Sequence, residues 1–291
     1  TIRTLFAHPS PVQLAAAMRE NEVVTTTTPS MPETAPPEFR RLASITQLTD
    51  SGAIEKFTAE RHGIRHLKSR SLPIASELLE EPGLAFARRN HRVFADGDIR
   101  VEGVLGLLSG LRCHQDADRR MKLRYGSAGG LYPVQAYIYI PQAVSTRGCV
   151  VGMPPGVYYF NPVETSLVPV IDEVDLPVTA FGSLNQTVAE AASFSLFLVS
   201  DLAAIAPVYG MDSLRFSLIE AGAMTQLIEE RAVGLGIGLC HAGTFDFETH
   251  RHALGFGETH ALMHTLLGGL CREAVSAPAR ADDAPFVEET L

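Results

Sequence analysis

The chain has 291 residues, of which 46% are hydrophobic and 20% charged, and it contains no Trp. This length holds one core of about 200 residues plus appendages. The formal net charge is -9, which argues against a nucleic-acid surface because such surfaces cluster Lys and Arg. The four cysteines lie far apart and form no C-x-x-C pair. Since no signal peptide is visible either, we expect a cytoplasmic protein with reduced thiols.

The first 80 residues predict appendages to a core. Residues 1–20 carry a short amphipathic helical pattern interrupted by prolines. Residues 21–38 are rich in Thr and Pro, a composition that buries too little apolar surface to fold, so we expect a linker. Residues 39–80 show short helical patterns and predict a helical extension. A tail rich in Ala, Asp and Glu is expected at 276–291.

Residues 81–275 are expected to form one domain, and a run of arginines lies near its start. Arg88, Arg89 and Arg92 fall close together near a predicted helix end. Guanidinium groups bind phosphate bidentately, although a charge run of this kind is more often a solvated surface. Downstream, Asp98 is the predicted N-cap of a helix whose apolar positions are Ile99, Val104, Leu105, Leu108 and Leu111.

A glycine-rich stretch leads into the strand around which the domain is organised. The stretch Ser127–Pro133, which we call the glycine loop, is followed by apolar residues that alternate with polar or aromatic ones over 134–140. This alternation predicts a half-buried strand. Since glycine has no Cβ atom, a flat ligand could lie against the backbone of the loop. A hairpin loop without a ligand is the other interpretation.

The remaining elements predict an α+β fold, a mixed sheet flanked by helices. Pro169 places its strand on an edge, and the apolar run 193–200 is typical of a strand buried on both faces. The helical pattern 212–233 contains Arg215, Glu220, Gln226, Glu229, Glu230 and Arg231. It is too polar for a membrane span and predicts a core helix with one wet face. The other predicted elements are a hairpin of 156–160 and 166–171, a short helix at 183–192, and strands at 237–243 and 261–268.

Three other kinds of site are excluded or disfavoured by the pattern. The glycines of Gly234–Gly238 lie between a helix and a strand, whereas a dinucleotide fingerprint must lie between a strand and a helix. The histidine pairs His250/His252 and His260/His264 lack the partners of a metal site, so no metal is predicted. No Gly-x-Ser-x-Gly elbow or papain-like Cys motif marks a hydrolase nucleophile.

Four stretches together resemble the SagB-type dehydrogenases of the FMN-dependent nitroreductase superfamily, and most closely the oxidase domains of nonribosomal peptide synthetases. The resemblance runs from about Ile45 to Arg272, with the motifs in the family's order: Arg88–Phe94, Ser127–Pro133, Pro207–Gly210 and Leu218–Gln226. It implies the nitroreductase-like fold and non-covalently bound FMN as the cofactor.

The same resemblance implies which residues bind FMN. Asn90 stands where the family usually has Ser, and its amide can still donate a hydrogen bond. The implied FMN-binding residues are Arg88, Arg89, Asn90, Arg92, Ser127, Ala128, Gly129, Gly130, Leu131, Ala242, Gly243 and Arg272.

The resemblance also implies partners and an activity. Residues 1–20 resemble the last helix of a carrier domain, so we expect a piece of a longer synthetase with neighbouring domains and a homodimer that buries FMN between subunits. The expected reaction is oxidation of a carrier-tethered thiazoline or oxazoline to the thiazole or oxazole. Three alternatives remain open: oxidation of a tethered amino acid or released product, as in pigment synthetases; an inactive scaffold; and a nicotinamide-driven nitro- or quinone reductase.

The expected catalytic residue is Tyr209. Many azoline dehydrogenases of this family carry a Lys-Tyr pair before the long helix, and this chain has Val208 in place of the Lys. A Tyr with a pKa near 10 is a poor base unless a cation lowers that pKa. Arg215 is a candidate for that cation, and His241 and His114 are alternative bases.

Overall fold

The computed structural model describes five stretches of the chain, and all the strands in them belong to the second of two units, Thr1–Leu79 and Glu80–Leu291. The predicted carrier helix, the linker, most of the helical extension and the C-terminal tail lie outside the described residues. The described stretches are 52–53, 56–57, 88–115, 121–142 and 147–271.

Ten strands and five α-helices form the described part of the second unit. The strands are β1 (Ile99–Arg100), β2 (His114–Gln115), β3 (Met121–Lys122), β4 (Val134–Ile140), β5 (Val150–Val151), β6 (Gly156–Asn161), β7 (Ser166–Asp172), β8 (Phe194–Asp201), β9 (Ile237–Ala242) and β10 (His260–Leu270). The helices are α1 (Val101–Leu108), α2 (Gln186–Ala191), α3 (Ala206–Tyr209), α4 (Ser213–Leu235) and α5 (Phe247–His250).

A six-stranded sheet of order β7–β6–β4–β8–β10–β9 lies at the centre. Its ladders are antiparallel, and parallel pairing occurs between β1 and β5 and at the Asn90–Leu239 bridge. The predicted strands and hairpin are confirmed: β7 with Pro169 is an edge strand, and β8 is buried along nearly its whole length. The predicted α+β nitroreductase-like fold is confirmed as well.

The sheet carries one apolar cluster on each face, so the domain has layers on both sides of it. On one face α1 and α4 pack against the even-numbered side chains of β4, including Val134 and Ile138. On the other face the helical turn Val178–Phe181, α2 and the segment around α5 pack against residues such as Phe197 and Leu267. The end of β4 that receives the glycine loop is therefore fixed from both sides.

One local prediction near the start of the domain is wrong. Asp98 does not cap α1, which begins at Val101; the Asp98 carboxylate instead accepts a hydrogen bond from the Cys149 backbone N–H at 3.0 Å. Residues 88–92 run alongside β9, where the His91 N–H donates to the Leu239 carbonyl at 2.8 Å, and the helix end predicted near them is not among the described residues. Backbone pairing with β9 thus decides the path of this segment.

Two acidic residues of α4 are buried. Glu220 and Glu229 have exposures of 1% and 6%, whereas Leu218 and Ile219 are 51% and 63% exposed. Polar residues such as Ser217 and Glu220 share the buried side of the helix with Met224 and Ile228, while other large apolar side chains face outward. Among the described residues, no helix is both long enough and apolar enough to cross a membrane.

Candidate active site

The segments that carry the candidate residues meet at one end of the sheet. Val134, the first residue of β4, pairs with Ser200 near the end of β8, and Asp201 pairs with His260 at the start of β10. The Asp201 N–H donates to the Pro133 carbonyl at 3.0 Å. The glycine loop and the segment that follows β8, which contains Tyr209, therefore leave the sheet side by side.

The glycine loop is a tight turn with an unusual backbone. Gly129 and Gly130 have φ angles of 61° and 67°, and Tyr132, which has a side chain, has φ of 50°. Such left-handed conformations cost little for glycine and more for other residues. The loop is closed internally, since the Tyr132 N–H donates to the Ser127 hydroxyl at 2.8 Å. Gly129 and Gly130 are exposed, so their backbone is accessible to a ligand.

The Tyr209 hydroxyl contacts the glycine loop directly. A Cβ atom at Gly129 would lie 3.0 Å from the Tyr209 Oη and 3.5 Å from its ring. Tyr209 ends α3, and Gly210, with φ of 53°, turns the chain toward α4. The absence of a side chain at Gly129 is therefore what lets the phenol reach the loop.

The described residues around Tyr209 do not replace the positive charge of the family's lysine. Its ring packs edge-on against Phe216, with centroids 5.0 Å apart, and the Arg215 guanidinium lies over Phe216, 5.3 Å from that ring's centroid. Arg215 is also paired with Asp212 at 3.0 Å, so its charge is partly balanced. Val208, at the family's lysine position, is 65% exposed.

The predicted phosphate site corresponds to a cleft beside the C-terminal part of α4. Arg88 and Arg89 line this cleft with His91, Glu229, Gly236, Leu239 and Cys271. Asn90 holds the arginine segment in place, since its side-chain carbonyl accepts a hydrogen bond from the His241 N–H at 2.9 Å. Two guanidinium groups on a segment anchored by backbone pairing can grip a phosphate bidentately.

A chain of hydrogen bonds connects this cleft to the interior of the sheet. The Glu229 Oε1 atom accepts from Arg88 Nη1 at 3.2 Å and pairs with His241 Nε2 at 2.9 Å. His241 Nδ1 in turn pairs with His264 Nε2 at 2.8 Å. Burial, followed by the nearby His241, lowers the pKa of His264 to about 4, against the opposing influence of Glu229. His264 is thus neutral near pH 7, and both ring nitrogens of His241 are occupied.

A second buried carboxyl group lies against the glycine loop. Glu220 Oε1 accepts a hydrogen bond from the Val134 N–H at 3.3 Å. Burial raises the pKa of Glu220 to about 7, and hydrogen bonding by Ser127 and Val134 partly offsets this increase. Both Glu220 and Glu229 were missed as site residues. Their spacing of nine positions is two and a half helical turns, which places them on opposite sides of α4 and leaves no periodic signal for either.

The structure brings some predicted residues together and separates others. The glycine loop residues and Tyr209 form one group, and Arg88 with Arg89 forms another. Arg92 does not line the cleft; its guanidinium reaches the Leu184 carbonyl at 3.5 Å. At the end of β9, Ala242 is buried, while Gly243 is exposed with open space beside its Cα. Arg272 lies outside the described residues.

Comparison with known proteins identifies the family. The nitroreductase family model matches residues 85–269. The chain belongs to the nitroreductase family. A relative from Methanocaldococcus jannaschii, which is named as a putative nitroreductase, is 29% identical over 119 residues. That match covers 41% of this chain and 57% of the relative, so the chain spans just over half of the relative's length.

Solved structures share the fold of this nitroreductase-family chain. A chain of the Escherichia coli microcin synthetase McbBCD complex, with truncated pro-MccB17 bound, superimposes with a TM-score of 0.58 at 20% identity, over 81% of this chain and 87% of that one. A nitroreductase-type structure from Ralstonia eutropha has a TM-score of 0.51 at 14% identity, over 70% and 88% of the two chains. At these identities the likeness concerns the fold.

FMN is the cofactor of this oxidoreductase family, as predicted, and the described residues fit it. The cleft offers two guanidinium groups for a phosphate monoester. The glycine loop presents exposed backbone without Cβ atoms at two successive positions, which suits a flat ring. Glu220, beside the loop, and Glu229, in the cleft, are about 14 Å apart along the axis of α4.

Proposed function

We propose that the chain is an FMN-dependent oxidase of a carrier-tethered thiazoline or oxazoline, and that it forms the aromatic thiazole or oxazole. The observation that carries this proposal is the contact between the Tyr209 hydroxyl and Gly129 of the glycine loop. A proton-accepting group and a surface for a flat ring meet there, although they are far apart in sequence. Azoline oxidation needs this pair, because a proton and a hydride leave neighbouring carbons of the ring.

The chain's own residues orient the substrate and receive its proton. FMN, when bound, accepts the hydride and thus two electrons. The acidic α-proton of the azoline goes to the Tyr209 Oη atom in its ionised form, and the remaining electron pair completes the aromatic ring. Arg215, the described cation near this phenol, is paired with Asp212, and Val208 stands in place of the family's lysine.

The two histidine alternatives are less suitable as the base. His241 is bonded at Nδ1 by His264 and at Nε2 by Glu229, so neither nitrogen is available to a substrate. His114 lies on β2, which pairs with β3 in a separate two-stranded sheet. Tyr209 is therefore the base that we propose.

We also propose a two-fold homodimer formed through α4. Val208, Met211, Leu214, Leu218 and Ile219 are large, apolar and 44% to 80% exposed, and they lie on or just before the first half of this helix. Such a contiguous apolar surface marks an interface, and isologous pairs are the most frequent assembly. The separation of the glycine loop from the arginine cleft favours the same arrangement, because a partner subunit could bring its loop to this cleft.

The proposal of a synthetase partner rests on the resemblance to oxidase domains and on the fold. The E. coli neighbour comes from a synthetase complex with a truncated pro-peptide bound. For this chain we propose a peptide substrate delivered on a carrier arm and neighbouring synthetase domains as partners. No basic surface is required for such a substrate, which agrees with the net charge of -9.

A single-turnover experiment tests this function. The purified protein, saturated with FMN under anaerobic conditions, is mixed with a thiazoline tethered to a carrier protein, and flavin bleaching is followed together with thiazole formation by mass spectrometry. We expect one thiazole per flavin reduced. The proposal fails if FMN does not bind, or if the flavin stays oxidised with the azoline and bleaches rapidly with a reduced nicotinamide.

The same assay tests Tyr209. We expect Tyr209→Phe to bind FMN normally and to slow flavin reduction by about a hundredfold, the usual contribution of a positioned base. Tyr158→Phe is the matched control, because its hydroxyl bonds the Pro154 carbonyl and does not contact the glycine loop. A rate within twofold of the unmodified protein would remove Tyr209 from the mechanism.

A further inference from the structure

The carboxyl group of Glu220 is buried, and burial disfavours its ionised form. Its exposure is 1%, and Oε2 has no hydrogen-bond partner among the described residues. No described cation reduces the cost of ionising it; burial is the main influence on its pKa, and only Ser127 and Val134 oppose this influence. The titratable groups that face it are phenols, with Tyr125 adjacent and Tyr132 and Tyr159 around Tyr125. An unpaired buried carboxyl group destabilises a fold, so its presence here calls for another role.

The contacts of Glu220 are with the two ends of the glycine loop. Its Oε1 accepts from the N–H of Val134, the residue directly after the loop, at 3.3 Å. The Ser127 hydroxyl, at the start of the loop, lies beside the same carboxyl group and stabilises its ionised form. Ser127 Oγ also accepts the Tyr132 N–H at 2.8 Å. One carboxyl group on α4 thus connects both ends of the loop.

The loop needs such an anchor because its backbone is strained at Tyr132. Gly129 and Gly130 adopt positive φ angles at little cost, whereas the positive φ of Tyr132 persists only where surrounding contacts enforce it. The neighbouring turn of α4 is also fixed, since Ser217 and Ser200 on β8 share a hydrogen bond of 2.8 Å. Glu220 therefore projects from a rigid element onto a strained one.

We propose that Glu220 is a positioning residue of the nitroreductase-type site: from the buried side of α4 it holds Ser127 and Val134, and so fixes the backbone that the glycine loop presents to the flavin ring. This inference rests on the proposed role of the loop in binding FMN. It assigns to Glu220 no contact with flavin or substrate.

The charge state of Glu220 provides a readout that a purely structural role would not affect. When the loop opens, water reaches the carboxyl group and its pKa falls from about 7 toward 4.5. The closed loop therefore binds the proton more tightly than the open loop, and a rise in pH from 4.5 to 7 favours opening. Within this window each pH unit weakens closure by up to about tenfold, and above pH 7, where the carboxyl group is ionised in both states, the dependence levels off.

The test is hydrogen exchange of the flavin-free full chain, expressed as protection factors for the amides of residues 127–134. For the unmodified protein we expect protection to fall by at least about tenfold between pH 5 and 7.5. Glu220→Gln keeps an acceptor for Val134 and cannot titrate, so its protection should stay level over this range. Glu220→Leu should lower protection at both pH values. Glu102→Gln, at an exposed position of α1, should behave as the unmodified protein.

Titration with FMN, followed by flavin fluorescence, adds a second measurement. We expect the affinity of Glu220→Gln to match the unmodified protein near pH 5 and to exceed it severalfold at pH 7.5. The same pH profile in the unmodified protein and Glu220→Gln would overturn the proposal, as would unchanged loop protection in Glu220→Leu. If no variant binds FMN, the proposed function fails, while the exchange data still decide whether Glu220 holds the loop.

Discussion

The Arg88 guanidinium group pairs with the Glu229 carboxylate and is also expected to bind the FMN phosphate. In the structure it pairs with the buried Glu229 at 3.2 Å, and its side chain remains 42% exposed toward the cleft. A bound phosphate can therefore share the guanidinium group with Glu229 without displacing it, since the planar fork carries several donors. The carboxylate orients the arginine, and the exposed donors are left for the ligand.

We predict that Arg88→Ala weakens FMN binding by at least about tenfold, because a hydrogen bond to a charged group contributes about 1.5 to 3 kcal/mol. The dissociation constant is measured by quenching of flavin fluorescence. Arg100→Ala is the control, because Arg100 is 82% exposed and pairs with Glu102 near the start of α1. Equal affinities of the two variants would show that the phosphate binds elsewhere.

The lowered pKa of His264 predicts that the folded protein loses stability in acid. Its pKa in the folded protein is lowered to about 4, so the unfolded chain takes up a proton near pH 6.5 while the folded chain does not. The stability that the neutral ring contributes is therefore complete above pH 6.5 and is lost as the pH falls toward 4. The shift corresponds to at most about 3 kcal/mol.

Urea unfolding at pH 7, 5.5 and 4 measures this effect. We predict that His264→Gln, which does not titrate and can still bond His241, loses less stability over this range than the unmodified protein, by up to about 3 kcal/mol. His252→Gln serves as the exposed control, because the His252 side chain is 68% exposed. Parallel pH profiles for the unmodified protein and His264→Gln would contradict the prediction.

At the scale of elements, the contact between α3 and the glycine loop depends on a single missing side chain. Gly129 and Gly130 have nearly the same φ angle, 61° and 67°. A Cβ atom at Gly129 would lie 3.0 Å from the Tyr209 hydroxyl, whereas one at Gly130 would have no neighbour within 4 Å. A side chain would therefore cost similar backbone strain at both positions, and only the one at Gly129 would meet Tyr209 and, at 3.5 Å, Leu131.

We predict that Gly129→Ala and Gly130→Ala each cost about 1 kcal/mol of stability, the cost of a left-handed conformation for a residue with a side chain. Only Gly129→Ala should also slow single-turnover flavin reduction, by about tenfold, because it displaces the phenol. Equal slowing by both variants would indicate that loop strain, and not the position of Tyr209, controls the rate.

The elements differ in how far the sequence predicts them. β4 and β8 were predictable because their burial follows directly from residue type and period, as Val134, Ile138 and Leu196 show. The face of α4 was not predictable in this way. Its sheet-facing side carries Ser217 and Glu220, whose hydroxyl and carboxyl groups bond Ser200 and Val134 from other elements. Tertiary hydrogen bonds, which leave no periodic signal, thus outweigh hydrophobicity there.

The candidate site was also predictable only in part, because some of its contacts depend on tertiary structure. Family resemblance gave the glycine loop and Tyr209, which do meet, and Arg88 with Arg89, which share a cleft. It grouped Arg92 with them, but this side chain reaches the Leu184 carbonyl. Neighbours in sequence point in different directions when their segment is extended. The contact of Arg88 with Glu229 joins positions 141 residues apart and could be found only from the fold.

At the scale of the whole molecule, the exposed side of α4 remains to be explained. Leu218 and Ile219 are more than half exposed on a helix whose opposite side holds the glycine loop through Glu220. Large apolar side chains on the surface of a rigid helix are costly in water and favour association. In the proposed dimer, two copies of α4 cover each other, and each subunit's loop lies near the interface.

We therefore predict that Ile219→Glu converts the protein from dimer to monomer at micromolar concentration, because burying an unpaired carboxylate at the two-fold axis is costly. Light scattering after size exclusion measures the mass. Val163→Glu, at a site 58% exposed in the β6–β7 turn, should remain dimeric. If FMN is bound between subunits, the Ile219→Glu monomer also loses FMN affinity while Val163→Glu retains it. An unmodified protein that is monomeric with FMN fully bound would refute both the dimer and the shared site.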